Sequence, residues 1–285
     1  MDNGPDRGAA EGTEGDARAA AGRPGMDPHV PQSARVYDFL LGGKDNYPAD
    51  RQVGAALIEA VPALPVMVRA QRAFLARVVR FLVRDAGVTQ FLDIGTGIPA
   101  AGSVHEVAQA IAPGVHVVYV DNDPVVLTHA RALMTGLPQG GTAFIEADVR
   151  RYTAIIEHDD LAGTLDRHRP IALLLVGILH HLQDVDDPYG IVSALVDWLP
   201  AGSHLVIAGP GSDFDPAAMA ALARTAEQSG IPYVPRDREQ TRRFFAGTQL
   251  IEPGVVPILG WRPDEGSEGV DVNSVFGWAG VGRKP

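Results

Sequence analysis

The stretch Thr89-Gln90-Phe91-Leu92-Asp93-Ile94-Gly95-Thr96-Gly97-Ile98-Pro99-Ala100, resumed at Val117-Val118-Tyr119-Val120-Asp121-Asn122-Asp123, decides the fold. Its first apolar run ends in an acid and a glycine turn. A helix-like segment follows, and a second apolar run, Val115 to Val120, ends in another acid. Strand, tight turn, helix, and strand with a carboxylate at its tip form the layout of a nucleoside site at the carboxyl end of a parallel sheet.

Outward from that core the same alternation continues. Apolar runs predict strands near 89–94, 115–120, 142–146, 171–176 and 203–208, with helices near 102–112, 124–135, 149–157, 188–199 and 215–229. Ile171 to Val176 carries no polar residue, as expected of a central strand in a parallel sheet covered on both faces. Runs at 249–251, 255–259 and 275–281, joined by Gly- and Pro-rich segments, predict an antiparallel edge. Upstream, Ser33 is the expected N-cap of a helix over Ala34–Leu41, stopped by Gly42-Gly43. Further helices are expected over Ala49–Ala60 and Val66–Asp85, the last ended by Gly87. Residues 1–27 offer almost nothing to bury, so a tail over 1–30 is expected to be disordered, with Met26 a possible natural start. That divides the chain into the tail, a helical extension over 31–88 and a nucleoside-binding domain over 89–285.

Composition narrows the function. With 46% hydrophobic and 21% charged residues, the 285-residue chain can bury a full core. A formal net charge of -11 without a basic block argues against free nucleic acid as a partner. Zero cysteines exclude disulfides, Cys-based zinc sites and thiol nucleophiles. No apolar stretch approaches the ~20 residues of a membrane span, and no secretion signal opens the chain, so a cytoplasmic location is expected.

Within the site, Gly95-Thr96-Gly97 lets backbone approach a ligand and frees N–H groups. Pro99-Ala100 stands where a dinucleotide site wants its third glycine. Asp93 would repel a pyrophosphate, yet suits S-adenosylmethionine (SAM), which carries an ammonium and a sulfonium. Asp121 is placed to accept from ribose hydroxyls, followed by Asn122, while Asp123 either joins the site or caps the helix opened by Pro124. Asp148, next to Val149, is placed for an adenine amino group or for a helix cap. His180-His181 follows the fourth strand at the edge where a reacting group would lie; the pair supplies a general base or merely shapes the pocket. Tyr37 and Asn46, around the polar turn Gly42 to Tyr47, read as parts of a lid over the cofactor or as an edge cap. His105 and Glu106 read as helix-face residues, and Asp184, Asp186 and Asp187 as a solvated helix entry rather than a metal site.

Asp93-Ile94-Gly95-Thr96-Gly97, Asp121 and Asp148 resemble a class I SAM-dependent methyltransferase. More narrowly, Ser33-Ala34-Arg35-Val36-Tyr37-Asp38-Phe39-Leu40-Leu41-Gly42-Gly43-Lys44-Asp45-Asn46-Tyr47, together with Asn122-Asp123-Pro124 and the ending Gly280 to Pro285, resembles an actinobacterial methyltransferase family long described as a domain of unknown function. The likeness runs from about residue 31 to the C-terminus. It implies a Rossmann-like, seven-stranded, mostly parallel α/β sheet with a helical N-terminal extension, and SAM as cofactor. Cofactor contacts then fall on Asp93, Gly95, Thr96, Gly97, Asp121, Asn122, Asp148, Val149 and Asn46, and catalytic roles on His180, His181 and Tyr37. No metal is expected. The acceptor is expected to be a small molecule or peptide, methylated on O, N or C. Two alternatives stand beside this: a SAM-binding regulator without turnover, and an NAD(P)-dependent oxidoreductase.

Overall fold

The computed structural model describes residues 27–285 except Thr135 and Glu268. The expected tail, up to and including Met26, lies outside the described residues; residues 27–30 form a turn.

Strands β1 (Gln90–Ile94), β2 (His116–Asp121), β3 (Gly141–Glu146), β4 (Ala172–Val176) and β5 (His204–Pro210) run parallel in the order β3-β2-β1-β4-β5. The last long strand, β8 (Gly277–Arg283), pairs antiparallel with β5. Its outer edge takes two short pieces, β6 (Gln249–Leu250) and β7 (Val256–Pro257), both antiparallel to it. The seven expected positions are therefore filled by eight strands, because Ile251 to Val255 loops out of the final one. The expected strand at 255–259 stops at Pro257, beyond which Ile258–Gly260 forms a 3-10 turn.

Alternate strand residues serve opposite faces. Phe91, Val117, Tyr119, Leu174 and Val206 join one apolar core, and Leu92, Val118, Val120, Leu173 and Leu205 the other. The first core is covered by α1 (Ser33–Leu41), α2 (Pro48–Ala60) and α3 (Leu64–Arg84), where Phe74, Val78, Val79 and Leu82 recur at helical spacing and are fully buried. Helices α4 (Val104–Gln109) and α5 (Pro124–Leu133) flank β2. The second core is covered by α6 (Tyr152–Ile156), α7 (Asp159–Thr164) and α8 (Pro188–Trp198), while α9 (Pro216–Gln228) returns to the first.

Three local expectations change. Ser33 lies inside the first turn of α1; the cap position is Gln32, whose N–H donates to Asp50 Oδ1 at 2.9 Å. The helix expected over 149–157 splits, because Asp148 caps a 3-10 turn over Val149–Arg151 before α6 begins. Helices α7 and α10 (Arg238–Arg243) were not anticipated, since six residues with one buried position each carry no readable period.

One buried cation fastens the extension to the sheet. Arg35 is fully buried; its Nε donates to Asp50 Oδ2 at 3.0 Å and its Nη2 to the Val30 carbonyl at 2.6 Å. Its Nη1 stands 3.6 Å from Asp123 Oδ2, two residues beyond the acid at the tip of β2. Replacing Arg35 with Met strands two buried carboxylates, a loss of about 3–5 kcal/mol for a broken buried pair. Urea unfolding should show that loss for Arg35→Met, and Arg35→Met/Asp50→Asn should recover part of it. A single variant within about 1 kcal/mol of the parent would refute the role.

Candidate active site

The strand order reverses between β1 and β4, so a crevice opens at their carboxyl ends. There Gly95 (φ +79°) and Gly97 (φ +69°) turn the chain through the left-handed region. The turn is pinned to β2 by Gly95 N–H donating to the Val120 carbonyl at 2.8 Å. A Cβ at Gly95 would stand 2.8 Å from Ile178, whereas one at Gly97 would meet nothing, because that face borders the cavity.

Asp121 faces this bend. Its Oδ2 accepts from Gly97 N–H at 2.8 Å and its Oδ1 from Asp123 N–H at 3.0 Å, leaving further lone pairs toward the cavity it lines. Burial pushes its pKa up to about 6 despite those donors. Asp93 also lines the cavity, and among the described residues no donor reaches its carboxylate. Burial drives its pKa up to about 7; Arg72 opposes that rise and the charge on Asp121 adds to it.

A second recess shares Gly95, Asp121 and Asn122 with the first and is lined further on by Asp148 and Val149. Asn122 Nδ2 is 3.4 Å from Asp148 Oδ2. Asp148 fills the capping alternative too, accepting from Arg150 N–H at 2.9 Å and pairing with the Arg150 side chain at 3.1 Å. Asp123 likewise caps α5 through Val125 N–H at 2.9 Å.

His180 and His181 lie in a 3-10 turn after β4, and both line the main cavity. His181 Nδ1 donates to the Pro232 carbonyl at 2.8 Å, since a carbonyl can only accept, so its Nε2 carries the lone pair. His180 Nδ1 is buried without a partner. Burial holds both rings below the ordinary histidine pKa. Tyr233, which sequence reading missed, packs edge-on against His180 at 4.7 Å and lines the same cavity. Its one signal was an aromatic between prolines, Pro232-Tyr233-Val234-Pro235, in a loop with no strand or helix pattern.

Two expected site residues take other parts. Asn46 does not line the cavity: its Nδ2 donates to Asp38 Oδ2 at 2.7 Å and to the Gly43 carbonyl at 3.1 Å, binding its own turn together. Tyr37 does line it, but its hydroxyl donates to the Val68 carbonyl at 3.2 Å and burial pushes its pKa up to about 12, which unfits it as a base. His105 is buried against Tyr119, its Nδ1 2.8 Å from the hydroxyl, and Glu106 caps its own helix from the N3 position. Asp187 caps α8 and Asp186 pairs with Arg150 at 3.1 Å. Among the described residues no three metal-ligating side chains converge.

Sheet order, glycine turn and the two strand-tip carboxylates define a class I methyltransferase fold. The chain belongs to the S-adenosyl methyltransferase family, whose sequence profile matches residues 19–285. It is similar to a Streptomyces avermitilis protein of that formerly uncharacterised family, at 42% identity and TM-score 0.88 over 91% of this chain and 99% of the other. A candidate methyltransferase from Thermobifida fusca is similar at 42% identity and TM-score 0.83, over 92% and 97% of the two chains. The plantazolicin methyltransferase, solved with S-adenosylhomocysteine (SAH), shares the fold at 12% identity and TM-score 0.52, over 88% and 95%. No curated protein sequence matches the chain. SAM is thus the cofactor, and the dinucleotide alternative falls. The residues fit it: an open glycine face, a carboxylate with lone pairs left over, and a second acid at the turn.

A carboxyl whose folded pKa exceeds its unfolded value stabilises the fold below the unfolded value and loses that contribution as pH rises through the folded one. For Asp93 the window runs from the ordinary carboxyl value of 3.8 to about 7. At about 1.4 kcal/mol per unit the loss approaches ~4 kcal/mol. Ligand-free Asp93→Asn should therefore outlast the parent in thermal melts at about pH 8, with the gap shrinking toward about pH 5. Equal gaps at both values would contradict the assignment.

Proposed function

We propose that the enzyme methylates a protic oxygen or nitrogen on a small, largely apolar molecule, of the polarity of a specialised metabolite, in the cytoplasm. One observation carries the reading. Beyond the glycine turn the cavity is walled by Leu40, Leu57, Met67, Leu222, Ile258 and Phe276, while polar groups gather at His180, His181 and Tyr233. Such a chamber suits an apolar body carrying one polar reacting group. Nucleic acid is a poor acceptor for a chain of net charge -11.

In this reading Asp121 accepts from the ribose hydroxyls, Asn122 and Asp148 meet the adenine edge, and Val149 packs on the ring. The backbone of Gly95, Thr96 and Gly97 passes beneath the nucleoside. When bound, the cofactor supplies a methyl group on a sulfonium, already activated for displacement. The chain then has to align the acceptor, exclude water and remove one proton. His181 takes that proton on Nε2, because its Nδ1 is committed to Pro232 and burial keeps the ring neutral. Tyr233 and His180 form the polar wall against which the acceptor group rests.

Asp121→Ala should weaken SAH by roughly 100-fold in isothermal titration, the loss of two charge-assisted hydrogen bonds. His181→Ala should leave SAH affinity unchanged and cut turnover by about 100-fold or more. With radiolabelled SAM and cell extract, label should enter the organic-soluble fraction. Label confined to precipitated protein or RNA would overturn the acceptor class, and SAH binding without transfer to any fraction would mark a regulator.

A further inference from the structure

His180 and His181 are neighbours in sequence and in space, their ring centroids 4.0 Å apart and the rings tilted by 43°. Their surroundings commit the two rings differently. His181 gives its Nδ1 hydrogen to the Pro232 carbonyl at 2.8 Å, so Nε2 keeps a lone pair. His180 Nδ1 is sealed in the wall without a partner. A buried N–H without an acceptor is rarer in proteins than a buried acceptor without a donor. A neutral imidazole can place its one hydrogen on either nitrogen, so that of His180 belongs on Nε2. Neither Nε2 is sealed in and neither has a partner among the described residues, while both rings line the main cavity. One ring thus offers the cavity a donor and the other an acceptor.

The chain around the pair is tied down from three sides. The His180 carbonyl accepts from Val234 N–H at 2.7 Å, and the His181 carbonyl from Arg150 Nη2 at 2.9 Å. Buried Arg236 donates to the carbonyls that flank the pair, Leu179 at 2.7 Å and Leu182 at 2.9 Å. Tyr233 packs edge-on against both rings, at 4.7 and 6.3 Å. Donor and acceptor are therefore held at one spacing. A site built to pair two polar groups rejects a ligand that leaves one of them unpaired, whereas a lone base does not.

We propose that His180 and His181 form a donor–acceptor couple for a methyl acceptor with oxygens on adjacent carbons, a vicinal diol or an ortho-hydroxy carbonyl. The reacting hydroxyl donates to His181 Nε2, and the neighbouring oxygen accepts from His180 Nε2–H. The proposal rests on reading the cavity as the chamber of a small-molecule acceptor, and it names the class of that molecule. It also fixes which oxygen reacts: the one whose hydrogen points at His181. A lone hydroxyl, or two hydroxyls on opposite sides of a ring, satisfies only half of the couple.

Two measurements on the full chain test it. With isotope-labelled histidine at about pH 8, where the rings are neutral, long-range proton–nitrogen spectra tell the tautomers apart. Signals are assigned by their loss in His180→Phe and His181→Phe. Hydrogen should sit on Nε2 of His180 and on Nδ1 of His181; any other assignment would overturn the couple. The second measurement is titration calorimetry with SAH present, comparing catechol with its para isomer hydroquinone and with phenol. Catechol should bind about 10-fold or more tightly than either, and His180→Phe should erase that preference. SAH affinity within about twofold of the parent shows that the variant is folded. Equal affinities for catechol and hydroquinone, or no binding of catechol, would overturn the substrate class. If radiolabel from SAM enters the organic fraction while catechol is not preferred, the couple alone falls. Label confined to protein or RNA removes the small-molecule chamber and the couple with it.

Discussion

Four carboxylates, Asp50, Asp93, Asp121 and Asp123, are buried close to the carboxyl edge of β1 and β2. Negative charge at that density in a dry place must be answered or protonated. The protein does it in three ways. Arg35 answers Asp50 and Asp123; backbone N–H groups of Gly97 and Asp123 answer Asp121; none of the described residues reaches the Asp93 carboxylate, whose proton is correspondingly hard to remove. The order of these solutions follows function. The acids that hold the architecture are neutralised internally, and those that face the cavity keep capacity for a ligand.

That division explains why the site is poised rather than merely stable. An acid with a pKa near neutrality gains most from a cationic ligand, because binding both pairs the charge and removes the cost of ionising it. The histidines show the same logic with opposite sign. Burial keeps His180 and His181 neutral, the state in which an imidazole can accept a proton. One stretch of dry wall thus raises the pKa of two carboxyls and keeps two imidazoles neutral.

Much of this was legible in the sequence because its signals are local. Asp93-Ile94-Gly95-Thr96-Gly97 and Asp121 each announce a backbone conformation or a strand tip within a few residues, and the structure brings them to one bend. Asp148 and Asp123 combine a helix cap with a place at or beside the site, which spacing alone could not separate. Asn46 misled because a polar side chain in a turn looks the same whether it faces a cavity or its own backbone. The roles of Arg35 and Tyr233 were invisible for a different reason. Each acts on partners far along the chain: Arg35 meets Asp123, and Tyr233 meets His180. Nothing in the local pattern distinguishes such residues from the many arginines and aromatics around them.

Both cations that face the buried acids, Arg35 and Arg72, come from the extension, so charge balance at the sheet edge depends on helices that precede the sheet. The same helices belong to the sheet's own apolar core: Val36, Leu40 and Leu57 are buried in one cluster with Phe91 and Leu174. Swinging α1 and α2 away would expose those three side chains at about 1.5–3 kcal/mol each, ~5–9 kcal/mol together. It would also part Arg35 from Asp123. That sum matches the entire stability of an ordinary domain. Lifting the extension away as a body would thus cost about as much as unfolding the domain.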